Sequence, residues 1–282
     1  FLGGGTRSIQ QELWEKGSLH FLYSFSDLLF NKEANHTAAE FIHSKIREIV
    51  HDPEVAELLC PKGYYYGAKR PALDWNYYET FNRNNVSLVD IKRTPIEKIT
   101  SKGILTKEKE YEFDCIVFAT GFDALTGSLV KIDIQGRNGV SLKDKWQDGP
   151  RTYLGLGVQG FPNMFIIGGP GGPSVLVNYP IMVEQAVDWI SDFITFTMKN
   201  NINRFEPTVE AEEAWGNTIN EEANNTLYGV TDSWYSGVNI EGKPKVFMPF
   251  VGGLRKYRKF CDDAATNGYE GFVFDKKFSA NL

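Results

Sequence analysis

Residues 163–173 read Asn163-Met164-Phe165-Ile166-Ile167-Gly168-Gly169-Pro170-Gly171-Gly172-Pro173. An apolar run of strand length passes directly into a loop of glycine and proline. From about Pro180 a helical period follows, with Ile181, Val183, Val187, Ile190 and Ile194 on one side. A run this apolar fits a strand buried on both faces, as in a parallel sheet. Glycines at its end let the backbone approach a ligand closely, and the helix beyond presents free N–H groups and a positive dipole end to an electron-rich group. The same glycines also fit plain tight turns, and on their own they leave both readings open.

Upstream, Phe113-Asp114-Cys115-Ile116-Val117-Phe118-Ala119 is a second near-continuous apolar run, ending in Thr120-Gly121-Phe122-Asp123. It predicts another buried parallel strand, its carboxyl end lying where α/β folds place ligands. Before it, Val86–Ile91, Lys98–Thr100 and Gly103–Leu105 read as short strands between turn residues. The opening third reads as helical. Thr37-Ala38-Ala39-Glu40 fits a capping box, with Ala38, Phe41, Ile42, Ile46, Ile49 and Val50 at helical spacing, and Pro53 to Leu59 forms a second short helix capped by Asp52. A last helix, roughly Pro207 to Asn224, leads to a glycine- and aromatic-rich tail from Trp234 to Leu282. The pattern is α/β in at least two pieces.

Hydrophobic residues make up 42% of the 282, enough for a packed interior, so the chain is expected to be globular. A net charge of −6 with no dense basic cluster argues against a nucleic-acid partner. Cys60, Cys115 and Cys261 are an odd set at wide spacings without a Cys-x-x-Cys, which suggests neither a disulfide framework nor a zinc site and fits the cytoplasm. The most apolar segment, Ile181 to Met198, is broken by Glu184, Asp188 and Asp192, so no membrane span is expected. The first residues do not read as a signal peptide.

Lys69-Arg70-Pro71 sits in a loop rich in tyrosine and glycine; taken alone, such a pair reads as solvated surface charge. His20, His36, His43 and His51 all fall in the helical opening, lack ligand spacing, and read as surface or capping residues. No hydrolase, zinc or phosphoryl-transfer constellation is present, and oxidoreductase chemistry remains.

Several signals then fall in one order. They are Lys69-Arg70-Pro71, Tyr77 to Val86 with its Glu79-Thr80-Phe81-Asn82-Arg83, Ala119-Thr120-Gly121-Phe122-Asp123, Tyr153-Leu154-Gly155, Phe161-Pro162-Asn163, the glycine loop, Trp234-Tyr235-Ser236-Gly237 and Gly252-Gly253-Leu254. Together, over nearly the whole chain, they resemble type I Baeyer–Villiger monooxygenases of the cyclohexanone and phenylacetone monooxygenase kind. The resemblance implies an α/β flavoprotein with two dinucleotide-binding, Rossmann-like domains for FAD and NADPH and a helical insert. It also implies insertion of one oxygen of O2 into a ketone to give an ester or lactone.

By that resemblance, Arg70 lies over the flavin, where a guanidinium keeps its charge and its planar fork of donors can hold an anionic oxidant and the adduct on the ketone. Lys69 becomes a contact for the NADP 2′-phosphate, and Trp234 a hydrogen-bond donor to NADP. Thr120, Gly121, Gly171, Gly172 and Pro173 fall on the cofactor side, with the pyrimidine edge of the flavin suited to the glycine loop. Ser174, Val175 and Leu176 occupy the place of the substrate pocket, though this stretch departs from the cyclohexanone type.

No Gly-x-Gly-x-x-Gly follows a strand, and the family's Phe-x-Gly-x-x-x-His-x-x-x-Trp fingerprint is absent. Those motifs belong to the family's N-terminal half, so the chain, which also begins without methionine, is expected to be the C-terminal half of a longer protein. Residues 1–75 would then end the helical insert and hold the active-site loop, 76–122 close the NADP-binding domain, and 123–282 form the later half of the FAD-binding domain. By itself this half is expected to be inactive. Two alternatives stay open: a truncated product that only folds or binds a partner, and a related flavin monooxygenase acting on nitrogen or sulfur, against which Lys69-Arg70-Pro71 argues.

Overall fold

The computed structural model describes residues 5–17, 19–174 and 177–276, which divide into two compact units, 1–121 and 122–282. The first unit begins with helices α1 (Gly5–Glu15) and α2 (Lys32–Ile49). The start of α2 differs from the expected capping box. Its cap is Asn31, whose side chain accepts from Glu33 N and Ala34 N, while Thr37 lies inside the helix and turns its hydroxyl to Glu33 O. Asn31 prevails because extended backbone there lets its short side chain reach two orphan N–H groups at once. Helix α3 (Pro53–Leu59) keeps the predicted Asp52 cap and begins on Pro53.

Phe21, Leu28, Ala38 and Phe41 bury one end of α2, and Ile46, Val50, Ala56 and Cys60 the other. After a single helical turn, α4 (Tyr77–Thr80), come three antiparallel strands in the order β1 (Ile96–Ile99), β2 (Gly103–Thr106), β3 (Glu110–Glu112). The strand expected over Val86–Ile91 does not form; that stretch runs without ladder partners into a turn.

Residues 113–119 depart from the buried parallel strand expected of them. No strand forms, and the segment is exposed: Val117 is 83% and Phe118 67% accessible. A parallel strand needs hydrogen-bonded neighbours and a layer on each face. Among the described residues every sheet is antiparallel, and none offers that slot.

In the second unit, α6 (Tyr179–Lys199), which follows the short α5 (Leu142–Lys145), is the longest helix. It packs on strand β4 (Ile202–Pro207) and on α8 (Gly253–Thr266), and α7 (Val209–Asn224), capped by Thr208, completes the group. β4 pairs antiparallel with β5 (Phe272–Lys276), so a helix and a strand lie within the tail that read only as glycine-rich and aromatic. The buried face of α6 is Met182, Ala186, Trp189, Phe193 and Thr197; of the aliphatic face expected, Ile181, Val187 and Ile194 are exposed, Val183 is half-buried, and Ile190 packs beside the core. Rings decide this: Trp189 and Phe193 meet Phe165, Phe205, Tyr269 and Phe272 in edge and tilted contacts with centroids 4.5–6.2 Å apart, and large aromatic surfaces outweigh single aliphatic ones.

The run 163–167 is not a strand either. Asn163 N bonds to Phe205 O and Ile166 N to Leu156 O, leaving isolated bonds rather than a ladder, for the same lack of parallel neighbours. Ile166 is nonetheless buried beside Leu142, Trp146, Val158 and Phe161.

Candidate functional site

In the first unit the loop carrying Lys69 and Arg70 is held by two buried side chains of α2. Asn35, 1% exposed, grips the peptide groups of Tyr66 on both sides: Nδ2 donates to Tyr66 O at 2.8 Å and Oδ1 accepts from Tyr66 N at 2.8 Å. The remaining Nδ2 hydrogen donates to Leu28 O at 2.9 Å. A primary amide mimics a peptide unit, and it can satisfy buried backbone that no ladder serves. His43 Nε2 donates to Pro61 O at 2.9 Å, anchoring the loop's start. His43 is therefore a buried tether, not the surface or capping residue expected, and Asn35 was not singled out at all. The signal for both was an apolar-face position on a helix, which sequence periodicity marks but cannot pair.

Beyond Tyr66 the chain turns at Gly67, whose φ of +81° suits glycine, and Ala68 is buried, its N–H bonding to Tyr65 O. Lys69 then folds back so that its Nζ lies 4.2 Å from the centroid of the Tyr64 ring. Burial pushes the phenols of Tyr64 and Tyr66 above their ordinary value, Tyr66 to about 12. Arg70 follows at the surface of the unit, and Thr120 and Gly121 lie at the exposed end of the 113–121 segment. Asn82 bonds Ile49 O and His51 N, tying the stretch after α4 to the end of α2.

The glycine loop of the second unit is fixed from within. Pro170 O accepts from Thr152 Oγ1, Gly171 O from Trp215 Nε1, and Gly172 O from Phe250 N, while Gly171 N donates to Met248 O. Gly171 has φ +88°, and a Cβ there would overlap the Thr152 hydroxyl. Gly155 comes so close that its Cβ would meet the backbone of Gly171 and Gly172. Gly172 itself has room for a Cβ, so its glycine is not demanded by packing. Pro173 is fully buried and Ser174 likewise, at φ +45°, with no partner for its hydroxyl among the described residues. Val175 and Leu176 lie outside the described residues.

Trp234 opens a 3-10 turn, Trp234–Ser236, capped by Ser233. That turn is linked to the loop by one segment: Met248 N donates to Tyr235 O, and Met248 O accepts from Gly171 N. The structure thus connects Trp234 with Gly171 through a strand-like stretch, 246–250, that the sequence reading passed over. The first turn of α6 starts at Asn178 with no side-chain cap among the described residues, and Pro180 stands in it. Its free N–H groups and dipole suit the electron-rich pyrimidine edge of a flavin. An orphan hydroxyl at Ser174 and backbone brought close by Gly155 and Gly171 fit the same group. Among the described residues no cluster of His, Cys, Asp and Glu could hold a metal, and no helix is long and apolar enough to cross a membrane.

No protein-family profile matches the chain. Comparison with curated proteins finds cyclohexanone 1,2-monooxygenase of Acinetobacter sp. 43% identical over 269 residues, 94% of this chain and 49% of the relative. A Baeyer–Villiger monooxygenase of Pseudooceanicola batsensis is 43% identical over 93% of the chain and 48% of its own length. Phenazine N-monooxygenase PhzNO1 of Lysobacter antibioticus is 42% identical over 92% of the chain and 48% of its own. Among solved structures, OTEMO in complex with FAD and NADP superposes with a TM-score of 0.93 at 39% identity, covering 98% of this chain and 51% of that one. The chain spans about half the length of the curated relatives it matches. By sequence and by fold, the chain is similar to Baeyer–Villiger monooxygenases over about half of their length.

Proposed function

We propose that this chain forms the later half of an FAD- and NADPH-dependent enzyme that inserts one oxygen of O2 into a ketone, giving an ester or lactone and water. The observation that carries the reading is the Lys69-Arg70 pair, carried on a loop clamped by Asn35 and His43, in a chain 43% identical to a cyclohexanone monooxygenase. Bound FAD, reduced by NADPH, supplies the activated oxygen. The protein's own groups do the rest. Arg70 offers a permanent cation to the negative charge that develops on oxygen, since a guanidinium keeps its proton near neutral pH. Lys69 offers its ammonium to the 2′-phosphate of NADP. Trp234 offers an indole N–H to the coenzyme, and Ser174 belongs to the ketone's place.

The first turn of α6 with Gly171, Gly172 and Pro173 holds the pyrimidine side of the flavin, and Thr120 and Gly121 count among the cofactor-binding residues. On this reading residues 1–75 end the helical insert, 76–122 close the NADP-binding domain and 123–282 complete the FAD-binding domain. The break between the compact units after Gly121 supports the second of these boundaries. The phosphate-binding glycine loops reside in the other half, which acts as partner to this one. Three unpaired cysteines support a cytoplasmic setting.

Two measurements test the proposal. The chain purified with excess FAD and desalted is expected to be colourless; persistent flavin bands would mean that this half forms the FAD site alone. In the enzyme completed by its other half, Arg70→Ala is expected to abolish ester formation while FAD stays bound, and normal ester production by that variant would overturn the role of Arg70. A second reading, oxidation at nitrogen, is favoured by the phenazine N-monooxygenase among the relatives. Product analysis with a cyclic ketone and with an aromatic N-heterocycle separates the two.

A further inference from the structure

We propose that Tyr64 is a specificity-determining positioning residue: its ring holds the Lys69 ammonium in place for the 2′-phosphate, and so sets the preference for NADPH over NADH. The inference rests on the reading of Lys69 as the phosphate contact. A lysine has a long flexible stem, and an unpinned one in a loop spreads its charge over many rotamers. Here the stem is folded back across the turn at Gly67, and Nζ lies 4.2 Å from the Tyr64 centroid, inside the reach of roughly 6 Å for attraction to an aromatic face.

The choice of partner has a chemical consequence. Among the described residues Lys69 makes no ion pair. A carboxylate would hold the ammonium equally well but would cancel its charge and repel a phosphate. The ring holds the cation from one side, leaves its charge intact and leaves N–H donors for an anion. The platform is firm, because the next residue but one, Tyr66, is gripped by Asn35 through two hydrogen bonds of 2.8 Å. Burial raises the Tyr64 phenol above its ordinary value, which keeps the ring neutral over the working pH range.

The test uses the completed, FAD-loaded enzyme and isothermal titration of NADP+ and NAD+, a binding measurement that needs no turnover. Lys69→Ala, Tyr64→Phe and Tyr64→Leu are compared with the parent. Expected are a loss of about two- to fivefold in NADP+ affinity for Tyr64→Leu, unchanged NAD+ affinity, and parent-like values for Tyr64→Phe, which keeps the ring. Full NADP+ affinity in Tyr64→Leu while Lys69→Ala weakens it would overturn the role of Tyr64 alone. An equal loss for both coenzymes would also overturn it, since that marks a collapsed loop. If Lys69→Ala leaves the discrimination intact, the reading of Lys69 fails and this inference with it.

Discussion

Asn35 carries three hydrogen bonds from one buried amide, two of them donated to carbonyls that no other group serves. Asn35→Asp has nearly the same shape but cannot donate to Leu28 O and Tyr66 O. It leaves two buried acceptors facing a third, and burying an unsatisfied group costs on the order of 1–3 kcal/mol. The variant is expected to be less stable by about 2–3 kcal/mol in urea unfolding. A shift below about 0.5 kcal/mol, within the range of ordinary surface changes, would show that the loop is held by other means. Neither Asn35 nor Tyr64 was legible in the sequence as a partner. A composition rich in tyrosine marks the loop, but which ring meets which ammonium depends on the turn at Gly67.

At the scale of the element, α6 shows how a helix chooses its inward face. Both faces are apolar by sequence: Ile181, Val187 and Ile194 on one, Met182, Ala186, Trp189 and Phe193 on the other. The aromatic face turns in because β4, β5 and the turn after α8 bring Phe205, Phe272 and Tyr269 to meet it, and Trp189 Nε1 finds an acceptor in Cys261 O at 2.9 Å. Phe193→Ala is expected to cost about 3–5 kcal/mol, the range for emptying a buried aromatic site. Ile194→Ala, one residue on, is expected to cost less than about 0.5 kcal/mol in the chain alone. Equal losses in thermal or chemical unfolding would mean that the aliphatic face is the buried one. By contrast α3, with Asp52 and Pro53 at its start, was fully legible, since caps and first-turn proline act through backbone within a few residues.

At the scale of the molecule, the exposed apolar segment 113–119 is the feature to follow. Its exposure leaves Cys115 open to reagents, while Cys60 and Cys261 are buried. Burial raises the Cys261 thiol to about 12, which withholds the reactive thiolate. A thiol reagent at neutral pH is therefore expected to label one cysteine rapidly in the folded chain, at position 115, and to reach the other two only on unfolding. On the proposed reading the other half pairs with this segment, and Cys115 labelling is then expected to slow in the completed enzyme. Unchanged labelling there would mean that the segment is not a strand of the whole protein.

What the sequence determined by itself is local or ordered along the chain. It showed the Asp52 cap, the short strands at Lys98 and Gly103, the helices at Pro180 and Pro207, and the succession of motifs from Lys69 to Leu254 that carries the family resemblance. What only the tertiary structure decided is pairing between distant parts: Asn35 with Tyr66, Thr152 and Trp215 with the glycine loop, the inward face of α6, and β4 with β5. Strand propensity at 113–119 and 163–167 did not become strands, because a strand exists only where a hydrogen-bonded ladder meets at least one of its edges. Propensity is a property of a segment, whereas a sheet is a property of the assembled chain.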